Sequence, residues 1–294
     1  MRRTFLGLPE VRDRARVALI PAPYDVTVSW RTGAREGPRR ILEVSPYLEF
    51  FEEETGREPH LSLGFYTFPE PELPVDPEKA LSLLEDLISE ALKEQKFPIL
   101  LGGEHTVTLA ALRAFKKRFP SFKVLQIDAH PDLRDTYQET PFSHACVMRR
   151  AYELGLEVVA VGIRTASREE YEFIRKERLP VLWARDLKRD FETSLSNLKR
   201  FLGKGPVYVT LDLDGFDPAE APGVGTPEPG GLLWYEVLEI LKLVASLRVI
   251  GFDVVELLPI PGDPRTEYLA ARLIYKFLAY LAPSFQLAKS LQGC

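Results

Sequence analysis

Cysteine is scarce in this chain, and long hydrophobic runs are missing. Only Cys146 and Cys294 occur among its 294 residues, which excludes a disulfide framework and a zinc knuckle and is typical of the reducing cytoplasm. No apolar stretch approaches the roughly 18 residues that would predict a membrane span. Pro9, Glu10 and Arg12 interrupt the N-terminus before the apolar core of a signal peptide could form. We therefore predict a cytoplasmic protein.

An excess of positive charge is also missing. The formal net charge is -5, and acidic and basic residues are mixed along most of the chain. This balance gives no electrostatic reason to expect a nucleic acid or an acidic membrane as a partner, and it is compatible with a cationic substrate.

The chain instead alternates short apolar segments with amphipathic ones. Strands are predicted at residues 16–20, 97–101, 123–127, 157–162, 180–183, 206–211 and 247–255. Helices are predicted at residues 77–94, 106–118, 144–154, 168–176, 191–202, 235–246 and 266–281, where apolar residues recur at three- and four-residue steps. This pattern predicts a three-layer α/β/α fold with a mostly parallel sheet. Because the alternation continues on one scale, we expect a single domain over residues 1–294.

Acidic residues and histidines are concentrated at the ends of three predicted strands. They lie in Leu101-Gly102-Gly103-Glu104-His105, Asp128-Ala129-His130-Pro131-Asp132 and Asp212-Leu213-Asp214. Parallel α/β sheets bind ligands at the carboxyl ends of their strands. Gathered carboxylates repel one another and are costly to desolvate, so a fold that gathers them needs a cation. The candidate metal ligands are His105, Asp128, His130, Asp132, Asp212 and Asp214.

Six side chains exceed what one ion usually takes from a protein, which favours a pair of ions. Four carboxylates with two imidazoles form an oxygen-rich set, which suits Mn²⁺ better than Zn²⁺. Two divalent ions that share carboxylates could activate water near neutral pH. The Gly- and Pro-rich segment 221–231 follows one of the acidic segments and is a candidate wall of the site.

Each segment also has a structural interpretation when it is taken alone. His105 is compatible with a surface imidazole in a strand-to-helix turn, and Asp212 with the capping of a strand end. The segment that begins at Asp128 is harder to explain in this way, because three such residues after an apolar strand have little structural use. The spacing of a glycine and the position of Pro218 exclude an EF-hand at residues 212–218.

These segments resemble the motifs of the ureohydrolases, the arginase and agmatinase family. The matching segments are 101–105, 124–132 and 210–218 continuing to Gly231, together with 23–25 and 33–38, so the likeness spans nearly the whole chain. The resemblance implies the arginase/deacetylase-like fold and two Mn²⁺ ions per subunit, bound by the six side chains above. It also implies a homo-oligomer, either a trimer or a hexamer.

The resemblance further implies roles for two residues outside the ligand set. Glu256 would bind the substrate guanidinium, since a carboxylate can accept paired hydrogen bonds from planar donors. His144 would move protons between solvent and the leaving amine, for which an ordinary pKa of about 6.5 is suitable. The alternatives are a structural ion pair for Glu256 and a solvated helix cap for His144. The implied reaction is hydrolysis of the guanidinium group to urea and a free amine.

The substrate class is predicted from loops that differ from those of arginases. Segment 133–142 lacks the Asn and Ser that hold the α-carboxylate of arginine, and segment 162–167 lacks the Asp for its α-amino group. Asp135 and Glu139 would instead favour a positively charged tail, as in agmatine or aminopropyl-agmatine, with putrescine or spermidine as the product. Arg134 could pair with a carboxylate, so arginase, guanidinobutyrase and formiminoglutamase stay open as alternatives.

Two further alternatives are a zinc deacetylase of the same broad fold and a catalytically silent, metal-binding scaffold. The complete ligand set and Glu256 count against the scaffold. A second metal site that includes His105 would count against the deacetylase, which usually keeps a single site of Asp, His and Asp ligands.

Overall fold

A computed structural model describes residues 3–292 of the chain, with side chains up to residue 285. Cys294 lies outside the described residues, and Cys146 is buried as a free thiol. The described strands are β1 (Val17–Ala22), β2 (Phe65–Thr67), β3 (Phe97–Gly102), β4 (Lys123–Ile127), β5 (Glu157–Ile163), β6 (Val181–Trp183), β7 (Pro206–Asp212) and β8 (Arg248–Val255). The described α-helices are α1 (Gly37–Val44), α2 (Pro59–Leu63), α3 (Pro77–Lys93), α4 (Thr108–Arg118), α5 (Val147–Glu153), α6 (Arg168–Glu177), α7 (Ala184–Arg189), α8 (Phe191–Leu202), α9 (Trp234–Ala245) and α10 (Arg265–Gln292).

The eight strands form one sheet in the order β2-β1-β3-β8-β7-β4-β5-β6. Each pair of neighbouring strands is parallel. Because the strands β3, β8, β7 and β4 are adjacent and run in the same direction, their carboxyl ends meet at one edge of the sheet. This edge is where the acidic segments of the sequence lie.

Helices cover both faces of the sheet, because successive side chains of a strand point to opposite faces. In β7, Val207 and Val209 belong to a core that is shared with α1, α8, α9 and α10. Tyr208, between them, belongs to a second core that is shared with α3, α4, α5 and α6. The predicted three-layer fold with a mostly parallel sheet is therefore confirmed.

The seven predicted strands are all present, with ends that differ by at most a few residues. Four short elements, β2, α1, α2 and α7, were not predicted: β2 has three residues, and the three helices span about two turns or fewer, which is too short for a helical period to be recognised. The predicted helix at 144–154 begins as a 3-10 turn at His144–Cys146 before α5 starts. Within the described part of the chain, no helix is both long and apolar enough to cross a membrane.

Candidate active site

The structure brings the six predicted ligands together at the carboxyl edge of the sheet. His105 follows β3, Asp128 to Asp132 follow β4, and Asp212 and Asp214 end and follow β7. All are buried except His130, which is partly exposed. The convergence follows from the sheet order, since β3 and β4 are separated only by β8 and β7.

One group of ligands surrounds His105. Its Nδ1 atom lies 2.9 Å from an oxygen of Asp132, 3.1 Å from Asp128 Oδ2 and 3.3 Å from Asp212 Oδ2. This ring nitrogen is buried and makes no hydrogen bond. Its lone pair therefore faces a space that is lined by three carboxylates.

A second group of ligands surrounds His130. Its Nδ1 atom lies 2.9 Å from Asp214 Oδ2 and 3.7 Å from Asp128 Oδ1. Asp128 thus faces both imidazoles, one with each oxygen, and belongs to two three-residue sets that could hold an ion. Two adjacent sites that share a carboxylate are the arrangement expected of two neighbouring metal ions.

Backbone amide groups hold the aspartates in place. Asp212 Oδ1 accepts a hydrogen bond from the amide of Asp214 at 2.8 Å, and Asp214 Oδ1 accepts one from the amide of Ala129 at 3.0 Å. The other oxygen of each carboxylate faces a histidine. Asp132 has a φ of 52°, a conformation that is uncommon outside glycine but tolerated by aspartate.

Gly103 allows the chain after β3 to approach the loop after β1. A Cβ atom at this position would lie 2.0 Å from the carbonyl oxygen of Tyr24, so no other residue fits without moving the backbone. The same carbonyl accepts the amide hydrogen of Glu104 at 2.7 Å. This close contact positions His105, the next residue, over the cluster.

Burial and crowding shift the pKa values of the ligand set. Burial and the neighbouring Asp128 carboxylate raise the pKa of Asp132 to about 7. Burial also raises the pKa of Asp212 well above its usual range, and Asp214 adds to this shift. Burial lowers the pKa of His130, but the Asp214 and Asp128 carboxylates outweigh it and raise this pKa to about 12. The cluster thus retains protons that a divalent cation would displace.

The outer contacts of His105 fit a metal ligand. Thr210 Oγ1 donates a hydrogen bond to Asp253 Oδ1 at 2.6 Å, and it lies 2.8 Å from His105 Nε2. Because the hydroxyl hydrogen is directed to Asp253, the threonine oxygen accepts the Nε2 hydrogen of His105. Nδ1 is then the unprotonated nitrogen that faces the carboxylates. Metal-bound histidines commonly have their second nitrogen held in this way.

Glu256 lies directly after β8, beside the ligand set. Its φ is 64°, and its Oε1 atom accepts a hydrogen bond from the backbone amide of His105 at 2.7 Å. Burial, with the nearby Glu104 carboxylate, raises the pKa of Glu256 well above its usual range. A cationic ligand bound beside Glu256 would stabilise the ionised form of its carboxylate.

His144 is held on the opposite side by the loop after β1. Its Nε2 atom lies 2.8 Å from Ser29 Oγ, and its Nδ1 atom lies 3.4 Å from Thr27 Oγ1. The ring of Tyr137 meets it edge to face at 5.5 Å between centroids. Burial lowers the pKa of His144 to about 4. The imidazole is therefore neutral at neutral pH.

Five of the six ligands, with Glu256 and His144, line one cavity of about 260 Å³. Asp128 lies beneath its floor and is fully buried. Gly225 and Thr226 contribute to one wall, as was predicted for the segment 221–231.

The structure does not bring Asp135 and Glu139 to this cavity. Neither residue is among its lining side chains, and Asp135 pairs instead with Arg150 on α5 at 2.9 Å. Apart from the ligand set and Glu256, the acidic residue that lines this cavity is Glu170, which is buried at the start of α6. Its carboxylate accepts hydrogen bonds from the amide of Leu133 at 3.1 Å and from the amide and hydroxyl of Ser167 at 2.9 and 2.8 Å.

Several residues of the site were not predicted from the sequence. Thr27, Ser29 and Trp30 lie in a loop without regular structure, where no periodic signal marks them. Glu170 carries a detectable signal, because Ser167 followed three residues later by glutamate is a capping-box pattern. That pattern predicts the start of a helix, but it does not predict a wall of the cavity.

Comparison with known proteins places this site in a family. A model of the arginase family matches residues 15–279 of the chain. The N(1)-aminopropylagmatine ureohydrolase of Synechocystis sp. is 40% identical over 279 residues, which cover 92% of this chain and 90% of that protein. The agmatinase of Bacillus cereus is 36% identical over 272 residues, which cover 90% of this chain and 92% of that protein.

A solved structure agrees with these sequence relatives. The agmatine ureohydrolase of Thermoplasma volcanium superposes with a TM-score of 0.86 at 32% identity, covering 94% of this chain and 93% of that one. This superposition confirms the fold that the motifs implied.

Proposed function

The chain belongs to the arginase family, and we propose that it hydrolyses the guanidinium group of agmatine or aminopropyl-agmatine to urea and putrescine or spermidine. Family membership identifies an enzyme that acts on guanidino groups. One observation carries the choice of site: the candidate ligands, a carboxylate suited to a guanidinium and a neutral histidine meet in one cavity.

The ligand set fits two divalent ions, which we propose to be Mn²⁺. The buried Nδ1 atom of His105 without a hydrogen bond, and the surplus of carboxylates around it, match the needs of a cation. The first ion would be held by His105, Asp128, Asp132 and Asp212, and the second by Asp128, His130 and Asp214. Ions bound there would supply activated water at the floor of the cavity.

Glu256 would orient the guanidinium over that floor. One of its oxygens already accepts the amide hydrogen of His105, and the remaining lone pairs are available for a planar donor. The guanidinium would in turn stabilise the ionised form of a carboxylate whose pKa burial raises. Binding and ionisation of Glu256 are thereby coupled.

His144 would transfer a proton to the leaving amine. Because burial lowers its pKa to about 4, the ring is neutral at neutral pH, and its protonated form would readily give a proton to the leaving amine. Contacts with Thr27 and Ser29 hold both ring nitrogens in place, so the proton can be passed on without reorientation of the backbone.

Glu170 would face the distal amine of the substrate. Three of the roughly four lone-pair positions of a carboxylate are occupied by Leu133 and Ser167, which leaves one for an ammonium group. We expect Glu170→Gln to lower kcat/KM for agmatine by about 10-fold. Glu139→Gln, an exposed carboxylate outside the lining, is the matched control and should change it less than about twofold.

A specific observation favours a second candidate, a guanidine with a carboxylate tail. Arg31 and Arg134 both line the cavity, and either guanidinium could pair with a carboxylate. The Nε atom of Arg134 lies 4.0 Å from Glu170, so the charge of this arginine is already partly balanced. The same pairing also engages Glu170, so it weakens the attraction of this wall for an acid tail and for an amine tail alike.

Urea release from four substrates tests the proposal. Mn²⁺-loaded protein is assayed in parallel with agmatine, aminopropyl-agmatine, 4-guanidinobutyrate and arginine. We expect kcat/KM for at least one of the two amines to exceed that for both acids by at least about 10-fold, the effect of one unpaired charge in the cavity. Faster turnover of arginine would overturn the assignment, and faster turnover of 4-guanidinobutyrate would support the second candidate.

Three further properties are part of the proposal. We propose that the whole chain acts as one catalytic domain, that it works in the cytoplasm, and that it assembles as a trimer or hexamer. Light scattering on the purified protein measures the last of these, and a monomeric mass would contradict it.

A further inference from the structure

Two loops form the mouth of the catalytic cavity. They are the segments 25–33 and 133–143, and Gln138 links them by donating a hydrogen bond to the carbonyl of Val28 at 3.3 Å. Each loop places an aromatic ring at the mouth, Trp30 from the first and Tyr137 from the second. The entrance is therefore partly aromatic, although the floor is made of carboxylates and imidazoles.

Trp30 is 70% exposed, yet it lines the cavity. A single exposed aromatic side chain on a protein surface needs no explanation. This residue differs because it combines high exposure with a place in the lining of the catalytic cavity. The chain's other two tryptophans, Trp183 and Trp234, are not among the lining residues.

The backbone around Trp30 is fixed by contacts with the catalytic residues. Ser29, its neighbour, lies 2.8 Å from His144 through the side-chain hydroxyl. On the other side, the amide of Gly33 donates to Asp25 Oδ2 at 2.8 Å. Since adjacent Cα atoms are about 3.8 Å apart, these contacts fix the position of the Trp30 backbone beside the cavity.

The aromatic rings at the mouth already hold cations. The guanidinium carbon of Arg31 lies 5.6 Å from the ring centroid of Trp30, and that of Arg134 lies 5.3 Å from the ring centroid of Tyr137. Tryptophan is the best of the aromatic residues at this interaction. An ammonium on a substrate tail would compete with Arg31 for the face of Trp30, and the indole also offers apolar surface to the methylenes of such a tail.

We infer that Trp30 is a specificity-determining residue that selects guanidines with an extended amine tail, such as aminopropyl-agmatine, over agmatine itself. The inference rests on the proposed function. Trp30 belongs to the lining of a cavity of about 260 Å³, which is small among ligand pockets, so a tail longer than that of agmatine would reach this side chain. The indole ring would then cover the methylenes of the aminopropyl arm and face its terminal ammonium.

The test compares kcat/KM for aminopropyl-agmatine and agmatine in the Mn²⁺-loaded protein and its variants. Trp30→Ala should reduce the ratio of the two values by about 5- to 30-fold, mainly through KM for the long substrate. Trp30→Phe keeps an aromatic face and should reduce the ratio by less than about threefold. Tyr235→Ala removes an equally exposed aromatic that is absent from the cavity wall and should leave the ratio unchanged.

Product binding provides a second readout. Spermidine should inhibit the wild-type protein more strongly than putrescine does, and Trp30→Ala should remove most of this difference. If Trp30→Ala lowers kcat equally for both guanidines, the residue only supports the segment 25–33, which holds His144, and the inference is overturned. An unchanged ratio in Trp30→Ala would also overturn it. If the wild-type protein releases no urea from any of the guanidines, the proposed function itself fails.

Discussion

The hydroxyl group of Thr210 is the sharpest test of how the metal site is held. It accepts the Nε2 hydrogen of His105 at 2.8 Å and donates to Asp253 at 2.6 Å. Thr210→Val preserves the shape of the side chain and removes both hydrogen bonds. Loss of such an outer contact typically costs 10- to 100-fold in metal affinity, which corresponds to about 1.4 to 2.8 kcal/mol.

The geometry predicts that the loss of metal affinity affects only one of the two ion sites. His105 belongs to only one of the ligand groups, whereas Asp128, His130 and Asp214 form the other without it. Calorimetric titration of chelator-treated Thr210→Val with Mn²⁺ should therefore show one weakened site and one site within about threefold of its original affinity. The wild-type protein should bind two ions under the same conditions.

Thr210→Ser is the matched control, because it keeps the hydroxyl and loses a buried methyl group. It should cost about 1 kcal/mol of unfolding free energy, with metal affinity unchanged within about threefold. The reasoning would be refuted if Thr210→Val bound both ions as tightly as wild type. It would also be refuted if Thr210→Ser lost as much affinity, since packing would then be the cause.

Three further changes test other parts of the structure. Asp128→Asn should lose most bound metal and activity while its circular dichroism stays native, because this carboxylate serves both ligand groups; retained metal would contradict that role. Between pH 7.5 and pH 5, the unfolding free energy measured in urea should fall by about 1–2 kcal/mol more in the wild-type protein than in His144→Asn. A pKa of about 4 in the folded state, against about 6.5 unfolded, removes stability as the pH falls through that interval, and equal losses would contradict the shift. Gly251→Ala should cost about 1–3 kcal/mol of unfolding free energy, because the new Cβ would lie 2.4 Å from Cζ of Phe115; an unchanged denaturation midpoint would refute the clash.

The ligand set could be predicted from the sequence because its geometry is largely local. Each candidate lies within about five residues of a strand end, and the strands are long enough to carry a clear apolar signal. Once the sheet is parallel, those ends share an edge. The pairing order that makes β3, β8, β7 and β4 neighbours is not encoded locally and was not predicted from the sequence.

The distal end of the substrate site was harder to predict, because it depends on which charges are already paired. Asp135 and Glu139 stand in the right loop, but the first is balanced by Arg150 from the following helix, and neither lines the cavity. Glu170 reaches the wall from α6, a helix that starts about thirty residues further along the chain. A sequence pattern that marks a helix start gives no reason to expect that its carboxylate lines a cavity.

The partners of His144 show the same limit more clearly. Thr27 and Ser29 lie 117 and 115 residues before it, in a loop that carries no periodic pattern. Sequence alone therefore identifies the imidazole and the chemistry it suits, but not the hydroxyls that fix its orientation. Because the same loop also carries Trp30 at the mouth, one irregular segment determines both the position of the proton-transfer group and the surface that a substrate tail meets. Changes in that loop should therefore act on proton transfer and tail selection, whereas changes in the ligand segments should act on activity through the loss of bound metal.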